Sequence, residues 1–372
     1  MSTAALEIRA GRLAWQHLQQ FGLHASRIAV LPAAAGGPKG LILQELDLYL
    51  FGHWLPQAPR QRSLIGASIG AWRMAAASQA DPVSALQRMG EAYVRQSYSA
   101  KPRQSEITHV INQVVSTIIA GHEAEILQQP QHHLHIVTVR GKRGLAQPQT
   151  ITRSRLGFAR AALANTRSRA ALAHHLERVI FSQNPAALTW LSPHFDAFPS
   201  LLTSFTPANL HPALLASGTL PLLMQQVSDI ADAPAGNYWD GGIIDYHLQL
   251  PYQRLNSHTT RLADAELVLY PHFHHQIIPG WLDKGMWWRR GHRGKYKEWL
   301  DNVILINPSR AFVQSLPRAK IPDRKDFYYH GIDHASRIKE WQTAIAAGKT
   351  LREEFIAFCQ QPDMKQVLPL NF

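Results

Sequence analysis

The chain has few cysteines and comparatively few acidic residues, and each shortage excludes a class of protein. Cys359 is the single cysteine among 372 residues, which excludes an internal disulfide framework and a cysteine-rich zinc site. This usage fits a reducing compartment, so we expect a cytoplasmic protein. Asp and Glu total 26 against 38 Lys and Arg, a formal net charge of +12, so the surface should attract an anionic partner.

Long apolar runs and a secretory signal are also missing. No stretch reaches the roughly 18 uncharged apolar residues that a membrane-spanning helix needs. The segment MSTAALEIRAGRLAWQHLQQ lacks the basic head, apolar core and cleavage site of a signal peptide. Its apolar residues Ile8, Leu13, Trp15 and Leu18 instead predict one amphipathic helix. Any contact with a membrane is therefore expected to be peripheral.

Two strand–turn–helix patterns follow one another near the N-terminus. RIAVLP (27–32) is a short apolar run that leads through a small-residue loop into LILQELDLYLFGHWL (41–55), which has helical spacing. RSLIGASIGAWRMAAAS (62–78) repeats the strand, the tight turn and the helix. Successive units of this kind predict an α/β fold in which a mostly parallel central sheet is covered by helices.

The remaining elements extend the same pattern. Helices are predicted within 81–128, starting at the Asp81-Pro82 signal, and over 154–175 and 333–358. Strands are predicted at 134–140, 178–182, 237–242, 265–271 and 302–308. Because no repeat, low-complexity tract or linker interrupts the chain, we predict a single domain over residues 1–372.

A serine lies in the second strand–turn–helix unit. Gly66, Ser68 and Gly70 fit G-x-S-x-G, in which small flanking residues allow a strained turn that projects the serine hydroxyl. The apolar strand before it and the helix after it are the context that such a nucleophile elbow requires. The alternative is a chance glycine turn with a buried serine.

A glycine-rich loop lies in the first unit, where Gly36, Gly37, Lys39 and Gly40 surround Pro38. Glycines let the backbone approach a ligand and direct amides into an anion site. The full G-x-x-x-x-G-K-[ST] spacing is missing, so a nucleotide P-loop is disfavoured. Pro38 has no amide hydrogen, so the donors are expected at Gly36, Gly37 and Lys39.

A third motif is Asp240-Gly241-Gly242, which alone is most often a turn. A glycine loop, a serine elbow and Asp-Gly-Gly, in this order, resemble the patatin-like phospholipase family. The segment ASGTLP (216–221) is similar to that family's small-residue segment between serine and aspartate. The resemblance covers a motif-bearing core of about 27–250, and residues 251–372 are expected to complete the sheet and add helices.

The resemblance implies a three-layer patatin-like fold, a lipid acyl hydrolase and no cofactor or metal. It implies that Ser68 attacks the ester, that Asp240 activates it without a histidine, and that the loop with Gly36, Gly37 and Lys39 forms the oxyanion hole. One position departs from the family, because Ala35 stands where its loop has a first glycine. An alanine there would strain a backbone that required positive φ.

A basic, aromatic run from Lys284 to Lys297 contains no acidic residue. Cations bind phosphates and tryptophans settle at lipid interfaces, so this run predicts contact with an anionic membrane. The residues expected to make that contact are Trp287, Trp288, Arg289, Arg290 and Arg293. An ordinary basic surface is the plainer interpretation, and single-stranded nucleic acid is a less favoured partner.

Two other functions fit the same residues. An α/β-hydrolase with a Ser-Asp-His triad would use the same elbow with His247 or a later histidine as base. A catalytically silent protein that binds lipid or nucleic acid would explain both Ala35 and the positive charge. Paired histidines elsewhere in the sequence lack the carboxylate or cysteine spacing of a metal site.

Overall fold

One mixed sheet organises the chain in the computed structural model, which describes residues 4–147 and 150–371. Eleven strands form this sheet within the described residues. In chain order the strands are β1 (Leu6–Ala10), β2 (Ile28–Ala33), β3 (Arg62–Ala67), β4 (His132–Gly141), β5 (Leu176–Ser182), β6 (Ser200–Ser204), β7 (Val227–Ser228), β8 (Asn237–Asp240), β9 (Leu267–Pro271), β10 (Val303–Pro308) and β11 (Val367–Pro369).

The strand order is β11-β1-β10-β9-β2-β3-β4-β5-β6, with β8 pairing to β4 and β7 pairing to β8. The central strands β10, β9, β2, β3 and β4 all run parallel. Antiparallel pairs occur where β1 meets β10 and where β4 meets β5 and β8. The predicted α/β class with a mostly parallel central sheet is therefore confirmed.

Helices flank this sheet. The described α-helices are α1 (Arg12–Phe21), α2 (Gln44–Tyr49), α3 (Ile69–Ala77), α4 (Pro82–Val94), α5 (Gln104–Ile119), α6 (Glu123–Gln128), α7 (Ile151–Arg167), α8 (Arg169–Leu172), α9 (Leu210–Ser217), α10 (Arg310–Ser315), α11 (Lys325–His330) and α12 (His334–Gln360). None of them has the combination of length and apolarity that crossing a bilayer requires.

Burial explains why the sequences of the central strands are continuous apolar runs. Every residue of β3, β9 and β10 is buried, as expected for parallel strands covered on both faces. The helix α4 begins where the sequence predicts, because Asp81 accepts a hydrogen bond from the Ser84 amide at 3.1 Å and Pro82 occupies the first turn.

The N-terminal prediction was wrong in part. Ile8 lies in β1, which alternates between buried and half-buried residues and pairs with β10. The helix starts only at Arg12, after Gly11, where a side chain would clash with the Leu300 carbonyl oxygen. Pairing with β10 therefore places Ile8 in a strand, and only Leu13, Trp15 and Leu18 of the predicted helix lie in α1.

The helix predicted over 154–175 is also divided. It ends at Arg167, and Ser168 turns to an extended conformation and caps α8 by accepting a hydrogen bond from the Ala171 amide at 3.0 Å. Residues 173–175 lie outside both helices. A serine side chain can bond to nearby backbone amides in place of the helical hydrogen bonds, which explains why the helix is interrupted at Ser168.

The last third of the chain contributes β9, β10 and β11 to the same sheet. Its long helix α12 packs near α2, where Arg352 donates a 2.9 Å hydrogen bond to Glu45. Gly348 approaches the Ile42 carbonyl so closely that an added Cβ would lie 3.0 Å from it. The described C-terminal elements thus complete the sheet and cover it, and the single-domain count stays a prediction.

Candidate active site

Ser68 lies at the sharp turn between β3 and α3. Its backbone has φ 57° and ψ −132°, a region that non-glycine residues seldom occupy. The turn closes because its two glycines have no side chains: a Cβ on Gly66 would clash with the backbone of Gly70, and one on Gly70 with the Ala33 carbonyl oxygen. The elbow predicted from G-x-S-x-G is therefore present, with its serine at the strained position.

A second serine holds the elbow from behind. The backbone amide of Ser68 donates a 2.9 Å hydrogen bond to Oγ of Ser217, the last residue of α9. The Ser217 hydroxyl in turn donates to the Val137 carbonyl of β4 at 2.8 Å. Ser217 of the ASGTLP segment (216–221) therefore holds the turn at Ser68 against the sheet.

Asp240 ends β8 and begins the Asp-Gly-Gly turn. Its amide donates to the Thr219 carbonyl at 2.9 Å, and its Oδ1 accepts the Gly242 amide at 2.7 Å. Gly241 has no room for a side chain, because a Cβ would clash with the Val137 carbonyl oxygen. The turn that Asp-Gly-Gly predicts thus serves to aim a carboxylate.

Ser68 and Asp240 line the same cavity, and the Ser68 side chain acts on the Asp240 carboxyl. Burial raises the pKa of Asp240 from 3.8 to about 6, while a hydrogen bond donated by the Ser68 side chain opposes that rise. The Gly242 amide and the positive charges of Arg324 and Lys284 oppose it further. Ser68 is 7% exposed and Asp240 is 3% exposed, so the pair is shielded but reachable.

The glycine loop faces this pair. Gly36 is extended, at φ 176°, whereas Gly37 adopts φ 57°, the left-handed conformation that favours glycine. Within the described part of the chain, neither amide has a hydrogen-bond partner. Ala35 does not have positive φ, and its amide donates to the Tyr246 carbonyl at 2.9 Å. The alanine that departs from the family pattern is therefore unstrained.

The other loop residues lie away from the pair. Lys39 does not line the cavity around Ser68, and its ammonium lies 5.5 Å from the centre of the Phe273 ring. Burial is the main cause that lowers the pKa of Lys39. Gly40 packs against Ile69 and Arg73 of α3, so it supports the elbow. Lys39 can add positive potential near the cavity, but its ammonium lies beside Phe273 and is not placed to donate a hydrogen bond to an oxyanion at Ser68.

One cavity of about 190 Å³ contains Ser68, Asp240, Gly36, Gly37 and Gly242. Its remaining wall is largely apolar. The apolar side chains that line it include those of Ile69, Trp72, Ile107, Ile111, Leu220, Leu223, Met224 and Phe327. The arrangement therefore brings a hydroxyl, a carboxylate and two unpartnered amides into one largely apolar cavity.

Several cavity residues carry no sequence motif. Arg324, Tyr93, Tyr246 and Trp281 all line the cavity. Arg324 stacks on Trp281, with its guanidinium 4.8 Å from the ring centre. These four residues are far apart in the sequence, so no motif predicts that they share a cavity. The nearest sequence signal is the basic run that begins at Lys284 and contains no acidic residue.

Two histidines bear on the triad alternative. His247 does not line the cavity, and its Nδ1 lies 3.1 Å from the Ile278 amide and 3.0 Å from the Gln276 carbonyl oxygen. His334 does line the cavity, and its Nε2 lies 3.0 Å from the Tyr98 carbonyl oxygen. Ser68 and Asp240 line the cavity together, and Ser68 rather than a histidine is among the groups that act on the Asp240 carboxyl.

Two buried ion pairs brace the elements that carry the site. Arg73 of α3 donates to both Asp47 oxygens, at 2.7 and 2.8 Å. Arg178 of β5 does the same with Asp245, five residues beyond Asp240, at 2.6 and 2.8 Å. Both pairs are fully buried, so they orient the elbow helix and the Asp-Gly-Gly turn in a rigid setting.

The basic, aromatic run is only partly free. Trp287 and Trp288 are 61% and 54% exposed and meet edge to face with ring centres 6.0 Å apart. Arg293 is exposed and lies 5.0 Å from the Trp287 ring centre. Arg289 instead donates to buried Asp283 at 2.8 Å, and Arg290 donates to Lys284 and Gln276. Arg293 also donates to Nε2 of His292 at 3.1 Å, so all three predicted arginines have a partner within the protein and only Arg293 is exposed.

No protein-family model matches the chain, and no curated protein matches it at a significant level. Among solved structures, the crystal structure of VipD from Legionella pneumophila is similar over 73% of this chain, with 11% identity and a TM-score of 0.31. The match spans 53% of VipD, about half its length. A likeness this loose supports no functional argument, so any proposal depends on the residues and geometry of the site.

Proposed function

We propose that the chain is a serine acyl hydrolase that cleaves carboxylic esters of lipid type through Ser68 and Asp240. The observation that carries the proposal is that one cavity brings together a serine on a strained elbow, a buried aspartate and two unpartnered loop amides. The order of the motifs, which resembles the patatin-like phospholipase family, supports the same reaction class.

Attack by Ser68 requires a base, because an alcohol is a poor nucleophile near neutral pH. Asp240 accepts the Ser68 proton as Oγ bonds to the ester carbonyl carbon. A pKa of about 6 makes this carboxylate a stronger base than an exposed aspartate while leaving it ionised at pH 7. The dyad thus needs no histidine.

The tetrahedral oxyanion would be stabilised by the amides of Gly36 and Gly37. Preorganised donors of this kind act where charge develops, and loss of one typically costs about 10²–10³ in turnover. Collapse breaks the ester bond, and protonated Asp240 returns the proton to the leaving alcohol. Water, deprotonated by the same carboxylate, then hydrolyses the acyl-enzyme and regenerates Ser68.

The apolar wall of the cavity favours an acyl chain as the group bound next to Ser68. Ile69, Ile107 and Leu223 contribute to this wall from different elements. Burying each methylene of an acyl chain contributes about 0.8 kcal/mol, so such a wall selects chains over small polar acyl groups. This favours a lipid ester as the substrate.

Peripheral contact with an anionic membrane belongs to the same proposal. The adjacent exposed rings of Trp287 and Trp288, with Arg293 beside them, support it. Trp287→Ser and Trp288→Ser together should weaken sedimentation with phosphatidylglycerol vesicles and leave hydrolysis of a soluble short-chain ester unchanged. Equal sedimentation of the double variant and the wild type would reject this surface.

The reaction is tested with a fluorophosphonate probe and p-nitrophenyl octanoate. Wild type should label and hydrolyse the ester, and Ser68→Ala should lose both. Asp240→Asn should lower both by about 10³ or more, because the proposed base for the Ser68 proton is lost. Ser204→Ala, which changes an exposed serine on β6, is the matched control and should behave as wild type.

Circular dichroism checks that each variant is folded. Wild type that is folded but neither labels nor hydrolyses any ester would refute the acyl hydrolase and favour the binding protein instead. Labelling that survives Ser68→Ala would place the nucleophile elsewhere.

A further inference from the structure

Arg324 lines the proposed active site, and its charge acts on Asp240 without a salt bridge between the two. It precedes α11, lines the same cavity as Ser68 and is half-buried. Among the described residues its guanidinium makes no ion pair. The nearest acidic residues in sequence are engaged by other cations, Asp323 by Lys320 at 2.9 Å and Asp326 by Arg318.

The position of Arg324 is set against the glycine loop. Its Cγ and Nε lie 3.7 and 3.8 Å from the point that a Cβ on Gly37 would occupy. Its guanidinium is held over the Trp281 ring at 4.8 Å, so the fork is oriented rather than free. The charge therefore lies beside the glycine loop that carries the proposed oxyanion amides.

Two lysines interact electrostatically with Arg324, and neither is a full match for it as a cation. Burial lowers the pKa of Lys284 to about 7, with Lys39 and Arg324 adding to the effect, and burial also lowers the pKa of Lys39. The single carboxylate that lines the cavity within the described residues is Asp240. An additional negative group in this cavity would therefore meet one oriented guanidinium, that of Arg324.

We propose that Arg324 binds an anionic group of the substrate, a phosphate or carboxylate a few bonds from the scissile ester, so that the enzyme acts on acidic rather than neutral lipid esters. This inference rests on the proposed function and names its substrate class. A guanidinium suits the role because its planar donors match phosphate and carboxylate oxygens in pairs.

The test compares two esters with the same acyl chain, a 1-acyl-glycerol and its 3-phosphate, below their micellar concentrations. Arg324→Gln should lower kcat/KM for the phosphorylated ester by about tenfold or more, mainly through KM, since a charge-assisted hydrogen bond is lost. At pH 8, where Asp240 is ionised in both proteins, the neutral ester should change by less than about threefold. Arg324→Lys should restore part of the preference.

Lys325→Gln is the matched control, because Lys325 is the adjacent exposed cation and does not line the cavity. It should leave both esters unchanged. Equal losses on both esters in Arg324→Gln would overturn the inference and assign the residue to packing on Trp281. Faster hydrolysis of the neutral ester by wild type would overturn it as well.

Two further outcomes separate the sources of failure. If inorganic phosphate at millimolar concentration binds the site and stimulates the neutral ester, the anion is a free effector, and the substrate assignment is wrong. If wild type hydrolyses neither ester and Ser68 does not react with fluorophosphonate, the proposed function fails and this inference fails with it.

Discussion

The backbone amide of Ser68 donates its hydrogen bond to the hydroxyl of Ser217, 149 residues further along the chain. The same hydroxyl donates to Val137, so one buried side chain ties the elbow, α9 and β4 together. The Ser68 amide is consequently occupied, which leaves the loop amides of Gly36 and Gly37 as the donors for an oxyanion.

Ser217→Ala should therefore damage both stability and reactivity. It leaves the buried Ser68 amide unpaired, which costs about 1–3 kcal/mol of unfolding free energy. Loosening of the turn should slow fluorophosphonate labelling about tenfold to a hundredfold, since small misplacements of a nucleophile are expensive. Urea unfolding and labelling rates provide the two measurements.

Ser78→Ala is the matched control for Ser217. Ser78 is also fully buried and donates to the Met74 carbonyl at 2.8 Å, at the far end of α3. Its loss should reduce stability and leave the labelling rate within about twofold. If both variants slow labelling equally, general loosening rather than the elbow contact is responsible.

The pH dependence of labelling should reveal Asp240. The pKa of this carboxyl is raised by burial to about 6, and only the ionised form accepts the Ser68 proton. The labelling rate and kcat/KM should therefore fall about tenfold per pH unit below pH 6 and level off above it. Arg324→Gln should move the midpoint upward, because the Arg324 charge favours ionised Asp240.

A midpoint near 4 would contradict a buried base, since that is the ordinary range of an exposed aspartate. A midpoint that Arg324→Gln lowers would contradict the electrostatic contact between the two residues. Both outcomes are read from the same series of rates.

Asp240 should also cost the fold stability at neutral pH. Its folded pKa of about 6 exceeds the unfolded value of 3.8, so the folded state holds the proton longer. The stabilisation from protonated Asp240 is complete below pH ~4 and is lost as pH rises to ~6. A difference of about 2 in pKa corresponds to ~3 kcal/mol as an upper bound.

Asp240→Asn should thus raise the unfolding free energy at pH 7.5 by up to ~3 kcal/mol and leave it almost unchanged at pH 4. Asp232→Asn, an exposed aspartate that accepts from Thr206, is the control and should change stability by less than about 0.5 kcal/mol. Destabilisation by Asp240→Asn at pH 7.5 would show that the carboxylate is held mainly by its hydrogen bonds.

Local chemistry explains which parts of the fold the sequence predicted. The strands at 27–32 and 62–67 are covered on both faces, so their apolar runs are visible without any partner. Strand β1 depends on pairing with β10, which lies about 300 residues away, and its short alternation next to α1 gave no separate signal. The two-residue β7 and the three-residue β11 are likewise made by their neighbours.

The residues of the candidate site also fall into two groups, those that the sequence predicted and those that it did not. Ser68, Gly37 and Asp240 belong to short motifs whose backbone demands are local, so their positions were predictable. Arg324 and Trp281 reach the cavity only because the C-terminal elements fold back over the glycine loop. No spacing within the sequence records that convergence, and a lone arginine carries no motif.

The last prediction separates a dyad from a triad. His247→Asn keeps an acceptor near the Nδ1 position for the Ile278 amide, and His334→Gln keeps a donor near the Nε2 position for the Tyr98 carbonyl. Each variant should label within about threefold of wild type, since Asp240, which lines the cavity with Ser68, is the proposed base. A folded protein that stops labelling after either single change would assign the base to that histidine and reduce Asp240 to its orienting partner, as in a Ser-His-Asp triad.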